Sequence, residues 1–349
     1  MQIGIHAPLL REDIPLYRDL GVTWTKYGAD LDDGAAALKL PELDSAFDLA
    51  AEIGLECVVD LRTSVPFIEQ TSCDIQMQLA QAGALEMCPE GATRDEQLAV
   101  IARNNRIIRD RAYQPLYAKI TETVARYRDR CHNWEFWGEA ACPWVSGRCF
   151  GDNSRNYPYL LRGVYAAVKA ADPYARVWTG GNGMDLQCAF YYACLDQEAG
   201  PCFDVCNLHL YFMQIRDRGN AEMLLEREYT RLRAALQEKG NNQPFAATEW
   251  GYPTHSADSI DIEPYLRSNV VPARISQLYW SDAEAWFEGD LAAMERHGFE
   301  VVIVHAMRDT EDGDGYWGAR CGLLDLQGRR KNVWSVVQRW AWKGRQQQA

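Results

Sequence analysis

Residues 133–139 read NWEFWGE, in which three large aromatic rings are interspersed with two glutamates. The aromatic content is typical of a buried β-strand. Alternation along such a strand places Glu135, Trp137 and Glu139 on one face. An ionised carboxylate is costly to bury without a partner. A fold that buries this strand must therefore pair, hydrate or use both glutamates.

Seven further stretches have the same β-like composition, rich in β-branched and aromatic residues and bounded by Gly, Pro, Asp or Asn. They are residues 2–7, 22–28, 55–61, 176–181, 204–212, 244–251 and 300–307. Amphipathic helical patterns lie between them at 41–54, 159–173 and 220–240. This α/β alternation with eight strands predicts a closed parallel (β/α)8 TIM barrel rather than an open doubly wound sheet.

No linker, low-complexity tract or internal repeat interrupts the series, so we predict one (β/α)8 domain over residues 1–349. Residues 62–131, between the third and fourth strands, are longer than one crossover. We expect a long loop near 62–93 and helices from about residue 94 onward. Long loops on the catalytic face of a barrel shape its substrate site. We therefore expect this extended connection to shape the active-site face.

Composition excludes several classes of partner. The net charge of −13, with no basic stripe, argues against nucleic acid. No apolar run reaches the roughly 18 residues of a membrane span, and the start MQIGIHAPLL lacks a signal peptide, so we expect a cytoplasmic protein. The eleven cysteines lack the close-spaced pairs of a zinc site, which predicts reduced thiols and no metal or cofactor. The oligomeric state is not indicated.

Polar residues stand at the ends of several predicted strands. One carboxylate in such a place is more often a helix N-cap than a catalytic group. A ring of polar groups at the carboxyl ends of barrel strands, however, is where barrel enzymes place their active sites. The residues in these positions are His6, Asp60, Arg62, Glu139, Asn182, His209, Tyr211, Glu249, His305, Arg308 and Asp309.

Two of these residues predict a reaction. Glu139 ends the fourth predicted strand and Glu249 ends the seventh, and tryptophans flank both. Two carboxyl groups facing each other across a barrel mouth are the apparatus of glycoside hydrolysis, in which one protonates the leaving oxygen and the other attacks the anomeric carbon. Flat indole rings pack well against the C–H faces of a sugar.

The segments WEFWGEA (134–140) and ATEWG (247–251) resemble the fourth- and seventh-strand motifs of clan A glycoside hydrolases, nearest in texture to family 39. The resemblance implies a (β/α)8 barrel, hydrolysis with retention, Glu139 as acid/base and Glu249 as nucleophile. The segment DVCNLHLY (204–211) resembles the clan segment that supplies a His and a Tyr beside the nucleophile, here His209 and Tyr211. Residues 317–337 resemble the stretch after the eighth strand.

The chain departs from the clan pattern in two places. The clan has Asn immediately before the acid/base, where it donates to the sugar 2-hydroxyl, and here Gly138 stands there. The aromatic residue at the end of the eighth strand is replaced by His305. We hypothesise that the missing side chain leaves room for a substituent at carbon 2, or that Asn133, Asn182 or a water makes the contact.

The sequence therefore predicts a metal-free, bacterial-type retaining glycoside hydrolase that needs no cofactor. We expect double displacement and exo action on a carbohydrate substrate, either an oligosaccharide or a small glycoside. The predicted catalytic residues are Glu139 and Glu249. The predicted substrate-binding residues are His6, Arg62, Trp137, Gly138, Asn182, His209, Tyr211, Trp250, His305 and Trp317.

Two alternatives remain open from the sequence. The first is a catalytically impaired carbohydrate-binding barrel descended from a glycosidase, a hypothesis that Gly138 favours. The second is a metal- or Schiff-base-dependent isomerase or aldolase, which needs a metal-binding cluster or a strand-end lysine. Lys26 is the only lysine in such a position, and its sequence neighbours give it no support. Trp134 is interpreted as core on the outer face of its strand.

Overall fold

Eight parallel strands surround a central axis in the computed structural model, which describes residues 1–31, 40–62, 74–139, 153–181, 202–211, 218–252, 254, 283–311 and 317–347. The strands are β1 (Gln2–His6), β2 (Trp24–Asp30), β3 (Glu56–Arg62), β4 (Asn133–Phe136), β5 (Arg176–Thr179), β6 (Cys206–Leu210), β7 (Phe245–Trp250) and β8 (Phe299–His305). Their order in the sheet is β5-β4-β3-β2-β1-β8-β7-β6. A parallel bridge between Trp178 and Val205 joins β5 to the start of β6. The predicted (β/α)8 barrel is confirmed.

Helices alternate with these strands along the chain. They are α1 (Ile14–Leu20), α2 (Leu40–Ile53), α3 (Arg94–Ala112), α4 (Gln114–Tyr127), α5 (Asn153–Ala171), α6 (Arg218–Glu238), α7 (Ala283–Arg296) and α8 (Val333–Gln346). The helices predicted at 41–54, 159–173 and 220–240 are confirmed. None of the described helices has the length and apolar character needed to cross a membrane.

The long connection between β3 and β4 is more helical than we predicted. Residues 74–81 form a helix inside the segment 62–93 that we expected to be a loop, while the helices expected from about residue 94 are confirmed as α3 and α4. Residues 63–73 lie outside the described part of the chain. The role of this connection in shaping the active-site face stays a prediction.

The barrel interior is built in layers, because alternate residues of each strand point inward. The lower layer is apolar and consists of Trp24, Val58, Trp178, Val205, Ala246, Val301 and Ile303. Two residues further along their strands come polar side chains that are almost completely buried, among them Lys26, Asp60, Asn207 and Thr248. The carboxyl ends of the strands therefore carry a polar layer above an apolar floor.

The strand predicted over 133–139 ends earlier, at Phe136. Trp137 and Glu139 adopt left-handed backbone conformations, with φ of 56° and 61°, which bulky side chains rarely take. The period-two alternation is therefore lost after Phe136. Trp137 is 2% exposed and packs in the same hydrophobic cluster as Trp134, so it does not share the inner face with Glu135. The outer-face core position predicted for Trp134 is confirmed.

Candidate active site

Glu139 and Glu249 meet at the carboxyl end of the barrel. Glu139 follows β4, and Glu249 is the penultimate residue of β7. One carboxylate oxygen of Glu139, one of Glu249 and a ring nitrogen of His209 lie within 4.8 Å of one another. The side chains of Glu139 and Glu249 are 24% and 10% exposed. The two predicted catalytic carboxyl groups therefore face each other at a mouth that solvent reaches.

His209 stands between them. Its Nδ1 lies 3.2 Å from Oε1 of Glu139 and 3.4 Å from Oε2 of Glu249. Its Nε2 lies 3.3 Å from Oε1 of Glu135. Burial is the largest single effect and would lower the pKa of His209, but attraction to Glu249 together with the hydrogen bonds to Glu135 and Glu139 raises that pKa to about 9. At neutral pH the ring is therefore an imidazolium that donates from both nitrogens.

Lys26 is the second cation beneath the site. Its Nζ lies 2.9 Å from Oε2 of Glu135 and 3.1 Å from Oε1 of Glu249, and its side chain is completely buried. It also donates to Thr248 Oγ1 at 3.2 Å. Burial acts to lower the pKa of Lys26, but the two carboxylates raise it above the ordinary value. Glu135 is therefore buried as the partner of Lys26 in an ion pair.

The carboxylate of Glu249 is held on both oxygens. Tyr211 Oη donates to Oε2 of Glu249 at 2.9 Å, while Lys26 donates to Oε1. Burial would raise the pKa of Glu249, but His209 and Lys26 outweigh it and hold that pKa well below its usual range. Glu249 is therefore an oriented and ionised carboxylate.

Around the mouth, the buried acidic and basic side chains that the structure describes are equal in number. Three carboxylates face three cations: Asp60, Glu135 and Glu249 against Lys26, Arg62 and His209. Glu139 stands outside this compensation and is the most exposed of the four carboxyl groups, at 24%. Of these four carboxyl groups, Glu139 is therefore the most accessible to a molecule that enters the mouth.

Two glycines after β5 bring its end against the turn that carries Glu139. A Cβ on Gly180 would lie 2.1 Å from the carbonyl oxygen of Trp137, and a Cβ on Gly181 would lie 1.9 Å from Cδ2 of His209. The close approach lets the backbone N–H of Glu139 donate to the Gly181 carbonyl at 2.6 Å. Gly181 N–H donates to Oε1 of Glu135 at 3.2 Å. This glycine pair therefore allows the end of β5 to hold both Glu139 and Glu135 in place.

The space beside Gly138 is occupied by protein. A Cβ at this position would lie 2.8 Å from Oδ2 of Asp60 and 3.1 Å from Nη2 of Arg62. Asp60 is fixed there, because Oδ2 accepts from Arg62 Nε at 2.5 Å and Oδ1 accepts from the Gly138 N–H at 3.0 Å. The hypothesis that the missing side chain leaves room for a sugar substituent is therefore wrong at this point.

Gly138→Asn is consequently expected to damage the site rather than accelerate hydrolysis of plain glycosides. The new side chain must displace Asp60 or Arg62, and overpacking of this kind costs about 1–3 kcal/mol of the free energy of unfolding. Urea unfolding measures the loss. Gly240→Asn is the control, since Gly240 has φ of 74° and open space around it, and asparagine tolerates this conformation. A faster and equally stable Gly138→Asn variant would contradict the expectation.

His6 and His305 lie beside Glu249 at the ends of β1 and β8. Nδ1 of His6 is 3.2 Å from Nδ1 of His305 and 3.5 Å from Oε1 of Glu249. The His305 ring also packs edge-on against Tyr211, with ring centroids 6.0 Å apart. Both histidines therefore reach the mouth from the side opposite β4, as the strand-end positions predicted.

No protein-family model matches the chain, and no curated protein has a detectably similar sequence. Solved structures are similar: a family 39 glycoside hydrolase from Bacteroides cellulosilyticus WH2 has a TM-score of 0.59 and 14% identity over 97% of this chain and 63% of its own. The exo-β-1,4-mannosidase Op5Man5 from Opitutaceae bacterium strain TAV5 has a TM-score of 0.59 and 14% identity over 99% and 60%. A GH5_18 protein from Bifidobacterium longum subsp. infantis has a TM-score of 0.60 and 12% identity over 98% and 79%.

The chain has the barrel fold of clan A glycoside hydrolases. It spans less than two thirds of the length of the family 39 and mannosidase structures, at 63% and 60%. Within this barrel, six of the predicted residues come together at one mouth: Glu139, Glu249, His6, His209, Tyr211 and His305. Arg62 joins them through Asp60 and Gly138.

Two predicted sugar contacts are wrong. Trp250 is completely buried, packs on Phe287 with centroids 4.7 Å apart, and donates from Nε1 to Asp290. Its ring points outward because its neighbour Glu249 points inward. Trp137 is buried by the left-handed turn after β4 and offers no exposed ring face.

The other predicted contacts lie elsewhere in the barrel or outside the part of the chain that the structure describes. Asn133 is at the amino end of β4, away from the mouth, so it cannot replace the clan's asparagine. Arg308 pairs with Asp13. Asn182 and the side chain of Trp317 lie outside the described part of the structure. The sequence did not predict the ion pairs of Lys26 and Glu135 or the contacts of the glycine pair, since the partners come from other strands.

Proposed function

We propose that the protein is a retaining glycoside hydrolase acting by double displacement. The observation that carries this proposal is the placement of Glu139 and Glu249 on opposite sides of the mouth with carboxylate oxygens within 4.8 Å. Retaining enzymes have carboxyl groups about 5–5.5 Å apart, whereas inverting enzymes need roughly 6.5–9.5 Å to admit a water. The short separation supports attack by Glu249 itself.

In the first step, a Glu249 oxygen forms a bond to the anomeric carbon while the bond from that carbon to the leaving oxygen breaks. Glu139 gives its proton to the leaving oxygen. In the second step Glu139 takes a proton from water, the water oxygen bonds to the anomeric carbon, and the Glu249 carboxylate departs. Tyr211 and Lys26 hold Glu249 ionised for attack, at 2.9 and 3.1 Å.

Arg62 supports a further substrate contact. Its Nη2 lies 3.1 Å from the point where residue 138 would carry a Cβ, and its side chain is 30% exposed. Attraction to Asp60 raises the pKa of Arg62 above its usual range, so it is always a donor. We therefore assign to Arg62 the contact with the sugar 2-hydroxyl that asparagine makes in the clan.

Arg62→Met tests this assignment through a ratio. The wild-type protein is expected to prefer a 2-hydroxy glycoside over its 2-deoxy analogue, because hydrogen bonds to that hydroxyl tighten in the transition state. The variant is expected to lose about 10–100-fold of this preference in kcat/KM, equivalent to one hydrogen bond to a charged donor. A general loss of stability lowers both rates and leaves the ratio unchanged. An unchanged ratio would remove Arg62 from this role.

The sugar is identified by hydrolysis of a panel of dinitrophenyl glycosides. This leaving group departs with little acid assistance, so turnover depends mainly on the nucleophile. NMR of the first-formed product reports its anomeric configuration, and an inverted anomer would refute double displacement. Saturable binding of one sugar without turnover, by a protein shown to be folded, would favour the impaired carbohydrate-binding barrel instead.

Exo action on oligosaccharides or small glycosides is part of the proposal. One structural neighbour is described as an exo-β-1,4-mannosidase. Digestion of an oligosaccharide labelled at its reducing end distinguishes exo from endo action. Exo action releases monosaccharides from the start, whereas endo action releases a mixture of oligomers.

A Schiff-base mechanism on Lys26 is disfavoured. A lysine nucleophile needs a lowered pKa and a free amine. The ion pairs of Lys26 with Glu135 and Glu249 raise its pKa and hold it protonated.

A further inference from the structure

His6, His305 and Glu249 form a triangle of potential metal ligands. Nδ1 of His6 is 3.2 Å from Nδ1 of His305 and 3.5 Å from Oε1 of Glu249. One ligand atom from each residue lies within 4.8 Å of the other two. Two imidazoles and a carboxylate are a donor set that zinc and other divalent transition metals accept.

The distances fit a small tetrahedral ion. Zinc bonds to imidazole nitrogen and carboxylate oxygen of about 2.0–2.1 Å place the ligand atoms of a tetrahedron about 3.3 Å apart. The His6 distances to His305 and Glu249 lie close to that value. The His6 side chain is 25% exposed and Glu249 is 10% exposed, so an ion can enter from the mouth and keep a fourth position for water.

The triangle also presents usable ligand atoms. Both Nδ1 atoms of His6 and His305 become available when each ring carries its proton on Nε2. In the second possible group, formed by Glu139, His209 and Glu249, the Nδ1 of His209 already lies between the two carboxylates, at 3.2 and 3.4 Å. That group is therefore less suited to a cation.

Lys26 sets a limit on the affinity. The Lys26 ammonium lies 3.1 Å from the same Glu249 oxygen that would bind the ion. It also lies 2.9 Å from Glu135, so its positive charge is compensated by both carboxylates. An arriving ion must weaken the contact between Lys26 and Glu249. Binding is therefore expected to be reversible and weaker than at a structural zinc site.

We propose that His6, His305 and Glu249 form a binding site for a divalent transition metal ion, zinc foremost, whose occupancy blocks Glu249. The binding part of this proposal depends only on the side-chain geometry. The blocking part rests on the proposed function, because an ion on Oε1 competes with the anomeric carbon for the same carboxylate.

Calorimetric titration of the metal-stripped protein with zinc chloride tests the binding part. The titration uses a Cys88→Ser background, because Cys88 is an exposed thiol that would bind zinc on its own. We expect His305→Phe to weaken binding by at least about 100-fold, since it removes one of three ligands. His297→Gln is the matched control, a histidine that pairs with Glu226 at 2.7 Å away from the mouth, and it should bind zinc as the background does.

Cobalt gives an independent readout. Visible d–d bands of four-coordinate cobalt are expected in the background and in His297→Gln and should be lost in His305→Phe. If circular dichroism shows that His305→Phe is unfolded, His6→Gln takes its place. It removes a different ligand and should likewise weaken zinc binding and abolish the cobalt bands. Equal zinc affinity in the background and in a folded ligand variant would overturn the site.

The inhibitory part has its own test. If a glycoside is hydrolysed, zinc should raise the apparent KM and a chelator should reverse the effect. Zinc that binds at this site and leaves hydrolysis unchanged would overturn the blocking role. A silent glycoside panel would count against the proposed function and would leave the calorimetric result standing.

Discussion

Glu249→Ala is expected to lower kcat/KM for the best dinitrophenyl glycoside by at least about 10⁴-fold, because the variant lacks the proposed attacking oxygen. The structure supports this expectation: Glu249 is ionised and fixed by Tyr211 and Lys26, at 2.9 and 3.1 Å. The variant also opens space for a small anion. Azide should restore part of the rate and give a glycosyl azide of inverted configuration. A loss below about 10-fold would remove Glu249 from the nucleophile role.

Glu139→Ala is the matched control within the same site. The loss in kcat/KM of Glu139→Ala should depend on the leaving group: small for dinitrophenyl glycosides and large for a poor leaving group such as an alkyl alcohol. Glu249→Ala should lower kcat/KM for both substrates by similar factors. Opposite patterns in the two variants would reverse the assignment of acid/base and nucleophile.

Lys26→Met is expected to lower the free energy of unfolding by about 3–5 kcal/mol at pH 7, the effect of leaving a buried carboxylate without its partner. Lys26 and Glu135 are both completely buried and 2.9 Å apart. Urea unfolding gives the measurement. Lys343→Met is the exposed control: Lys343 is 47% exposed and pairs with Glu295 at 2.7 Å, and removal of such a pair costs about 1 kcal/mol or less.

The pH dependence separates lost charge from lost packing in Lys26→Met. In the wild-type protein burial would raise the pKa of Glu135, but Lys26 and His209 lower it to about 2. Glu135 therefore contributes stability above its unfolded pKa of about 4.3, and this contribution is lost as the pH falls toward 2. Without Lys26 burial raises that pKa, so the deficit of the variant should shrink between pH 7 and about pH 4.5. An equal deficit at both pH values would indicate packing alone.

The barrel was predictable from sequence because its signal is repeated. Eight short β-like runs separated by helical patterns suffice even when individual boundaries shift, as at β4. The position of Glu139 and Glu249 at the mouth was predictable for a related reason, since each lies near the end of its strand beside tryptophans. His209 and Tyr211 followed from the resemblance of their segment to the clan.

What the sequence did not predict comes from contacts between distant strands. Lys26 lies on β2 while its partners lie on β4 and β7, so its neighbours in sequence gave no indication of its role. The room expected beside Gly138 was excluded by Asp60, which comes from β3. Trp250 was a different error, because alternation already places it opposite the inward-facing Glu249.

The contact of Glu139 with Gly181 has a consequence for engineering. Glu139 is positioned by two backbone segments, 137–139 after β4 and 180–181 after β5, which are joined by the hydrogen bond from the Glu139 N–H to the Gly181 carbonyl at 2.6 Å. An exchange of the loop after β4 that begins before residue 140 would replace part of the first segment and disturb its contact with the second. Altered substrate preference is therefore best sought by cutting the chain beyond Glu139 and beyond Gly181, so that the two segments are inherited as one block.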